Sequence, residues 1–313
     1  MADPQVKALL DELIASGRPS SMRLPLPEGR RNFTELFVSL SGTAEVQRVE
    51  DAVLPGPAGD IPVRLYRPAS RGPLPVAVYF HGGGWVFGGI EASDGLCRSL
   101  AVASGAMVVA AAYRLAPEHP YPAALEDCYA ATDWVHRHGF ELGADSERLA
   151  VVGESSGGNL AAGVALLARD REGPPIEFQL LLYPALDPSL ATPSYRENAE
   201  DPFLSSTEMQ WYWDRYLDRH DGRIEPYAAP VLVTDLGGLP PAHVVTAGHD
   251  VLRDEGELYA ERLRAAGSRV SVCRYDAMVH GFMSMTRYLD TGGRAIEEAG
   301  RVLAEALGSR VEA

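Results

Sequence analysis

The sequence of 313 residues has few cysteines and a shortage of basic residues. Its cysteines, Cys97, Cys128 and Cys273, are widely spaced, whereas a zinc site or a disulfide framework needs closely spaced pairs. We therefore expect reduced thiols and no cysteine-based metal site. Lysine and arginine number 28 against 43 acidic residues, which gives a formal net charge of −15 and a pI near 5.0. So acidic a chain argues against nucleic acid as a partner.

Long apolar runs are missing as well. No stretch of about 18 apolar residues occurs, and the first residues lack the basic start and apolar run of a secretory signal. We therefore expect a cytoplasmic protein without stable membrane association. The remaining composition, 46% hydrophobic and 23% charged, is that of a globular protein, and the length suits one α/β domain with insertions.

What the sequence does contain is a series of short apolar runs that do not alternate with polar residues. Such runs, separated by helical stretches, are typical of parallel strands covered on both faces. Residues 45–54 and 61–66 flank a turn rich in proline and glycine and predict an antiparallel hairpin. Together these segments predict a doubly wound α/β fold, with a mostly parallel sheet of about eight strands and helices on both faces. The apolar runs are residues 74–80, 107–113, 149–152, 178–183, 242–247 and 270–275.

Residues 190–227 interrupt this alternation with prolines and a cluster of aromatic residues. An excursion of this length between two strands predicts a cap over the carboxyl edge of the sheet. The N-terminal segment predicts an amphipathic helix over 3–16, and the partner of its apolar stripe is not evident from the sequence. Helices are also predicted over 123–136 and 156–169.

The segment 153–158 reads Gly-Glu-Ser-Ser-Gly-Gly and joins a predicted strand to a predicted helix. A tight turn there would raise the hydroxyl of Ser155 above the sheet, beside a helix N-terminus that favours negative charge. Gly-x-Ser-x-Gly also arises by chance in many proteins. The flanking strand and helix favour Ser155 as a nucleophile.

A second glycine-rich segment, residues 81–85, reads His-Gly-Gly-Gly-Trp and follows the strand predicted at 74–80. Its glycines can bring two backbone N–H groups toward one point, which suits the oxyanion of a tetrahedral intermediate. The N–H of Ser156, directly after the nucleophile, would be a third donor. Glycine-rich loops also bind phosphate, but no Lys-Ser or Lys-Thr pair follows these glycines as it does in a phosphate loop.

A serine nucleophile needs a histidine base, and that histidine needs an acid to orient it. Of eight histidines, His280 lies just past the last predicted strand, where a loop could carry its imidazole over Ser155. Asp250, at the end of the strand predicted at 242–247, is the favoured acid because a strand end is rigid and reachable. Asp276, four residues before His280, is the alternative.

Taken with residues 112–124, which read Ala-Tyr-Arg-Leu-Ala-Pro-Glu-His-Pro-Tyr-Pro-Ala-Ala, these motifs and their order resemble the hormone-sensitive-lipase family of bacterial carboxylesterases. This family, also called family IV, belongs to the α/β-hydrolase superfamily. The likeness runs from residue 45 to the C-terminus. It implies a serine carboxylesterase in which Ser155 is the nucleophile, His280 the base and Asp250 the acid.

The resemblance also implies an oxyanion hole. The backbone N–H groups of Gly83, Gly84 and Ser156 would bind the oxyanion, while His81 and Gly82 would shape the loop.

The chain departs from the usual family pattern at three positions. The family usually has Asp where Glu154 stands, Ala where Ser156 stands and Pro where Val251 stands. The backbone donor at Ser156 survives whatever its side chain, so these differences bear on geometry and substrate preference.

Members of this family mostly hydrolyse short- and medium-chain acyl esters, need no metal or organic cofactor and often dimerise. The resemblance therefore implies a small-molecule ester substrate, no cofactor and a homodimer. An amidase using the same site stays an alternative. A ligand receptor resembling the plant gibberellin receptors is disfavoured, because those lack the catalytic histidine. A long-chain lipase is disfavoured because no extended apolar lid is evident.

The domain organisation implied by the family is a catalytic domain with a two-part cap. Residues 1–45 would form an N-terminal helical cap region and residues 190–227 a cap insertion, over a catalytic domain of residues 46–189 and 228–313. Six side chains are expected in the substrate pocket, although packing of the cap onto the core would explain them equally well. They are Trp85, Phe87, Phe203, Leu204, Trp211 and Tyr212.

Overall fold

A computed structural model describes residues 2–70, 72–218 and 225–309 of the chain. Within these ranges an eight-stranded sheet is accompanied by nine α-helices. The strands are β1 (Arg48–Gly56), β2 (Gly59–Arg67), β3 (Leu74–Phe80), β4 (Met107–Ala111), β5 (Ala144–Glu154), β6 (Phe178–Leu182), β7 (Ala242–His249) and β8 (Val270–Val279). The helices are α1 (Pro4–Ala15), α2 (Leu26–Leu40), α3 (Ile90–Ser104), α4 (Ala123–His138), α5 (Ser156–Asp170), α6 (Pro193–Glu197), α7 (Ser206–Leu217), α8 (Arg253–Ala265) and α9 (Asp290–Leu307).

The strands follow the order β1-β2-β4-β3-β5-β6-β7-β8 across the sheet. β2 is antiparallel to both of its neighbours, and every other neighbouring pair is parallel. Alternate residues of β3 enter two separate cores, with Val78 in one and Tyr79 in the other, so both faces of the sheet are covered. The mostly parallel, doubly wound α/β sheet predicted from the sequence is confirmed.

Strand limits differ from the prediction where polar residues enter a strand. β5 begins at Ala144 rather than at residue 149. The prediction missed its first half because these residues are mostly polar, although they pair with Leu74 and Pro75 before a shift in register. β8 continues to Val279, beyond the predicted residue 275, and its residues alternate in exposure because it is an edge strand.

The predicted cap regions contain helices. α1 and α2 lie within residues 1–45, while α6 and α7 lie within residues 190–227. α7 begins with a capping box, in which the Ser205 side chain accepts from the Glu208 amide and the Glu208 side chain accepts from the Ser205 amide. Residues 219–224 of the predicted insertion lie outside the described residues, and the domain boundaries stay a prediction.

The described residues also bear on membrane, metal and thiol chemistry. None of their helices is long and apolar enough to cross a membrane. In the same ranges, no group of three or more His, Cys, Asp or Glu side chains could hold a metal ion. Burial raises the pKa of the free thiols of Cys97 and Cys128, so both are protonated near neutral pH.

Candidate active site

Ser155 forms a strained turn between β5 and α5. Its φ of 56° and ψ of −121° lie in a region that residues with side chains rarely adopt. β5 ends at Glu154 and α5 begins at Ser156, so Ser155 alone makes the turn. Its amide donates to the carbonyl of Leu182 at 2.9 Å, which fixes the turn against the end of β6. Because Ser155 is the nucleophile predicted from the sequence, we call this single-residue turn the nucleophile turn.

Gly157 allows the helix to start so soon after the strand. A Cβ at this position would overlap the carbonyl oxygen of Phe80 and lie 2.6 Å from that of His81, both at the end of β3. These are backbone atoms and cannot move aside. The helix can therefore pass this close to β3 only because residue 157 is glycine.

His280 lies between Ser155 and Asp250. Its Nε2 is 2.9 Å from Ser155 Oγ, and its Nδ1 is 2.8 Å from Asp250 Oδ2. Both distances are those of hydrogen bonds, so hydroxyl, imidazole and carboxylate form one continuous chain. Asp276, the alternative acid, is exposed on β8, whereas Asp250 is 1% exposed.

The backbone around Asp250 is held by residues of the predicted cap insertion. Asn198 Nδ2 donates to the carbonyl of Asp250 at 3.2 Å, and Ser194 Oγ donates to that of Val251 at 2.6 Å. Asp250 Oδ1 also accepts from the amide of Leu252 at 2.9 Å. A proline in place of Val251 would stiffen this loop through its fixed φ. Here the hydrogen bonds from the cap restrain it instead.

The environment of His280 makes its imidazole a stronger base than usual. Burial lowers its pKa, but the charge of Asp250 and the hydrogen bond to it raise the pKa, and the charges of Glu154 and Asp201 add to that effect. The net result is a pKa above the ordinary imidazole value. A reaction that needs neutral His280 is therefore expected to slow as the pH falls through this raised pKa.

The loop after β3 presents free backbone amides to the same site. Gly83 has φ 115° and Gly84 has φ 60°, conformations that glycine adopts without strain. Within the described ranges, neither amide donates to a carbonyl or a side chain. Ser156 is the first residue of α5, so its amide has no partner inside the helix. All three residues line one cavity with Ser155 and His280, where their amides could receive an oxyanion.

His81 supports this loop as a neutral ring. It stacks on Tyr113 with 4.1 Å between ring centroids, and its Nδ1 lies 2.8 Å from the carbonyl oxygen of Gly82. Burial lowers the pKa of His81 to about 4, although the Gly82 carbonyl opposes the shift. The imidazole is therefore uncharged near neutral pH and shapes the loop by packing and hydrogen bonding.

A cavity of about 410 Å³ opens over Ser155. Phe87 and Trp211, two of the six side chains expected in its wall, do not line it. Their rings stack on each other with 5.7 Å between centroids, and Phe87 also stacks on Phe33 of α2 at 5.6 Å. The expectation is corrected for these two residues, which pack the cap onto the core. The four that line the cavity are Trp85, Phe203, Leu204 and Tyr212.

Much of the cavity wall comes from helices α1 and α2, which sequence reasoning assigned to the cap but not to the site. Leu10 and Leu13 belong to the apolar stripe predicted over 3–16, whose partner was not evident from the sequence. Only part of the stripe faces the cavity, since Val6 and Leu9 are buried in the core. The unpartnered apolar pattern was the signal that could have found Leu10 and Leu13. Further apolar wall residues that sequence reasoning missed include Met22, Phe33, Leu36, Phe37, Leu40, Met209 and Met285.

The chain is similar to known esterases in sequence. Residues 77–284 match a family described by its alpha/beta hydrolase fold. Carboxylesterase NlhH of Mycobacterium tuberculosis is 47% identical over 250 residues, which cover 78% of this chain and 77% of that protein. Ethyl acetate hydrolase of Pseudomonas putida is 35% identical over 308 residues, which cover 95% of this chain and 94% of that protein.

A solved structure shows the same similarity in three dimensions. An ester-hydrolase from the metagenome of Lake Arreo, complexed with a derivative of bipyridine phosphonate, matches with a TM-score of 0.94 and 41% sequence identity. The match covers 98% of this chain and 100% of that one. The segment that matches the family includes the glycine-rich loop, the nucleophile turn, Asp250 and His280. The chain therefore belongs to the α/β-hydrolase fold family, as a carboxylic ester hydrolase of the hormone-sensitive-lipase type.

Proposed function

We propose that the protein hydrolyses short- and medium-chain acyl esters through a triad of Ser155, His280 and Asp250 and a covalent acyl-enzyme. The observation that carries the proposal is the unbroken chain of two hydrogen bonds, 2.9 Å and 2.8 Å long, from the hydroxyl to the carboxylate. A serine hydroxyl is a weak nucleophile near neutral pH unless a base takes its proton. His280 is within reach of that proton, and Asp250 orients the imidazole.

In the first stage, His280 Nε2 takes the proton of Ser155 Oγ while this oxygen attacks the carbonyl carbon of the ester. The negative charge of Asp250 stabilises the imidazolium that forms. The imidazolium then gives its proton to the alcohol oxygen as the bond between carbonyl carbon and alcohol oxygen breaks. The acyl group is left as an ester on Ser155.

The tetrahedral intermediate needs donors for its oxyanion. The amides of Gly83, Gly84 and Ser156 line the cavity beside Ser155 and are the donors that we assign. The Ser156 amide also lies at the N-terminus of α5, where the helix dipole favours negative charge. Loss of one such donor elsewhere costs about 3 kcal/mol of transition-state stabilisation, so the loop contributes on the same scale as the triad.

In the second stage, water replaces the alcohol. His280 takes a proton from the water as its oxygen attacks the acyl carbon, and then returns a proton to Ser155 Oγ as the acid leaves. The two displacements are each easier than a single direct attack of water on the ester. No metal or organic cofactor takes part in the proposed steps.

The size and lining of the cavity support a short or medium acyl chain. Sites for drug-sized ligands range over about 300–1,000 Å³, and this cavity, at about 410 Å³, is near the lower end. One of the relatives is named for the hydrolysis of ethyl acetate, a short ester. Residues 1–45 and 190–227 are proposed as the cap that sets chain length, over a catalytic domain of residues 46–189 and 228–313. The homodimer stays a prediction that light scattering would check.

The experiment that tests this function measures hydrolysis of p-nitrophenyl esters from acetate to palmitate by the wild type, Ser155→Ala and Ser156→Ala. We expect turnover to peak at short or medium chains. Ser155→Ala is expected to lose on the order of 10⁴-fold or more in kcat, because no other group can form the acyl-enzyme. Ser156→Ala is the matched control, since it changes the neighbouring serine but keeps the backbone donor. Activity surviving in Ser155→Ala would overturn the assignment of the nucleophile.

A further inference from the structure

Glu154, the residue before the nucleophile, is a buried carboxylate without a cationic partner. It is 8% exposed, and within the described residues three hydroxyl groups, rather than a lysine or arginine, contact it. Tyr79 Oη donates to Oε1 at 2.9 Å, while Tyr183 Oη and Ser284 Oγ donate to Oε2 at 3.0 Å and 2.9 Å. Hydroxyl donors stabilise an ionised carboxylate but leave its charge in place. The Glu154 carboxylate therefore lies in the core beside the nucleophile, held by hydroxyl groups.

The three donors come from three different parts of the site. Tyr79 is in β3, just before the glycine-rich loop, and Tyr183 follows the end of β6. Ser284 lies four residues beyond His280, in the loop that carries the imidazole. The Glu154 carboxylate thus joins the nucleophile turn to the loop that carries His280.

Tyr183 packs between this carboxylate and the imidazole. Its phenol donates to Glu154. Its ring also packs edge to face on the His280 ring, with 5.0 Å between the ring centroids. The residue has φ 38°, and its amide donates to the carbonyl of Val245 at 2.7 Å. A residue in so unfavourable a conformation persists only where its surroundings hold it. The ring therefore keeps a fixed place against His280.

The charge of Glu154 acts on His280 in the same direction as that of Asp250. Burial lowers the pKa of His280, whereas the carboxylates of Asp250, Glu154 and Asp201 raise it. In the interior the effective dielectric constant is lower than in water, so a carboxylate that lacks a cationic partner acts on nearby groups more strongly than one on the surface. The effect favours the imidazolium over the neutral ring.

We propose that Glu154 is a positioning residue for the hydrolysis proposed above, on which this inference rests. Its hydrogen bonds hold the loop of His280 against the nucleophile turn, and its charge stabilises the imidazolium that forms when Ser155 loses its proton. Glu154 itself gains no proton and forms no covalent bond in the reaction.

Side-chain length is part of this role. The resembling family usually has aspartate here, which is shorter by one methylene. A Cβ placed on Gly82 would lie 3.1 Å from Glu154 Cγ, so the longer side chain packs directly against the glycine-rich loop. An aspartate would keep the charge but could not reach all three hydroxyl groups from the same backbone. The variants Glu154→Asp and Glu154→Gln therefore separate the effect of side-chain length from the effect of side-chain charge.

The test is the pH dependence of kcat/KM for p-nitrophenyl butyrate. Glu154→Gln removes the charge and keeps the shape, so the pKa of His280 falls and the acid limb is expected to move to lower pH. We expect kcat at neutral pH to fall about tenfold or more, because the imidazolium is less stabilised in the transition state. An unchanged acid limb in folded Glu154→Gln would overturn the electrostatic role.

Three further variants keep the test decisive. Glu154→Asp is expected to lower kcat while its acid limb stays with the wild type; an acid limb that moves as in Glu154→Gln would reject the charge as the cause. Ser284→Ala removes one hydrogen bond and no charge, and we expect the same pattern. Glu208→Gln makes the same chemical change at another carboxylate of the cavity and is expected to leave the acid limb in place. A shift there would show that any carboxylate of the cavity has this effect and would overturn the proposal.

Failure of the role proposed for Glu154 can be distinguished from failure of the proposed function. If Ser155→Ala is as active as the wild type, the triad itself is wrong. If Ser155→Ala is inactive and no Glu154 variant changes the pH profile or kcat, the triad stands and the role of Glu154 is rejected.

Discussion

The two walls of the active site are held in different ways, one mainly by backbone and the other by side chains. On the sheet side, Ser155 and Gly83 have positive φ angles, and the nearest atoms to a Cβ on Gly83 would be backbone atoms of Phe87 and Gly88. On the cap side, α1, α2 and residues 203–212 meet the cavity through apolar side chains such as Leu204 and Met209. Backbone contacts leave no room for a larger residue, whereas side chains can repack. We infer that the sheet side determines the chemistry and the cap side the choice of substrate.

The two walls are joined at Trp85, the last residue of the glycine-rich segment. Its ring stacks on Tyr216 of α7 with 4.3 Å between centroids and 1° between planes, and lies 4.3 Å from the ring of Trp213. Trp85 is fully buried and has φ 61°. The cap is thus anchored on the loop whose amides we propose as oxyanion donors, so only cap residues away from this contact are expected to vary without harm to the chemistry.

Among changes that keep Ser155, the largest effect is expected on the sheet side, from Asp250→Asn. The amide would orient the imidazole without supplying the charge that stabilises its cation, so kcat is expected to fall on the order of 10³–10⁴-fold. Steady-state kinetics with p-nitrophenyl butyrate would measure the loss, and circular dichroism would confirm the fold. Asp276→Asn, at the exposed alternative acid, is the matched control and is expected to behave as the wild type. Equal losses in both variants would contradict the assignment of the acid.

A smaller but still severe effect is expected from Gly157→Ala. Its methyl group would overlap the carbonyl of Phe80, and neither backbone can move without displacing β3 or α5. We expect a loss of about 3 kcal/mol in the free energy of unfolding, measured by urea denaturation. Gly293→Ala in α9, where a Cβ would have no neighbour within 4 Å, is the control and is expected to be neutral or slightly stabilising. Equal stability of both variants would show that the nucleophile turn can relax.

The sheet side is also the part that the sequence predicted best. The motifs around Ser155 and Gly83 are local, because a strand, a tight turn and a helix must each be encoded by a few adjacent residues. The need for glycine at position 157 follows from the same Gly-x-Ser-x-Gly motif. The pairing of Asp250 with His280 spans 30 residues, and chain order with strand ends was enough to favour it over Asp276. The roles of these residues stay proposals until the variants are measured.

The cap side could not be predicted in the same way, because its contacts join segments that are distant in the sequence. Phe87 and Phe33 are separated by more than fifty residues and stack on each other, and nothing local to either indicates this pairing. For the same reason Phe87 and Trp211 were expected in the pocket and are found packed behind it. The apolar stripe of α1 shows that a partner exists but not that the core covers one part of it and the cavity borders the other.

The smallest effect, and the one that would sharpen the comparison, is expected on the cap side from Leu204→Ala. Leu204 is 6% exposed and lines the cavity, so its truncation enlarges the space for the substrate without touching the triad. We expect the chain-length optimum to move to longer esters, with the ratio of kcat/KM for octanoate over acetate rising about tenfold, because each methylene in an apolar pocket changes binding by about 1–3 kcal/mol. The p-nitrophenyl series measures this ratio.

Leu232→Ala provides the matched control for this change. Leu232 is 47% exposed and is not among the described residues that line the cavity, so the same truncation there is expected to leave the ratio unchanged. The acid limb of the pH profile is expected to stay in place in both variants, because neither removes a carboxylate near His280 and Leu204→Ala keeps the backbone amide that donates to Asp201. If Leu204→Ala instead lowered kcat equally for every ester, the cap would be acting on the chemistry itself. The division between the two walls would then be wrong.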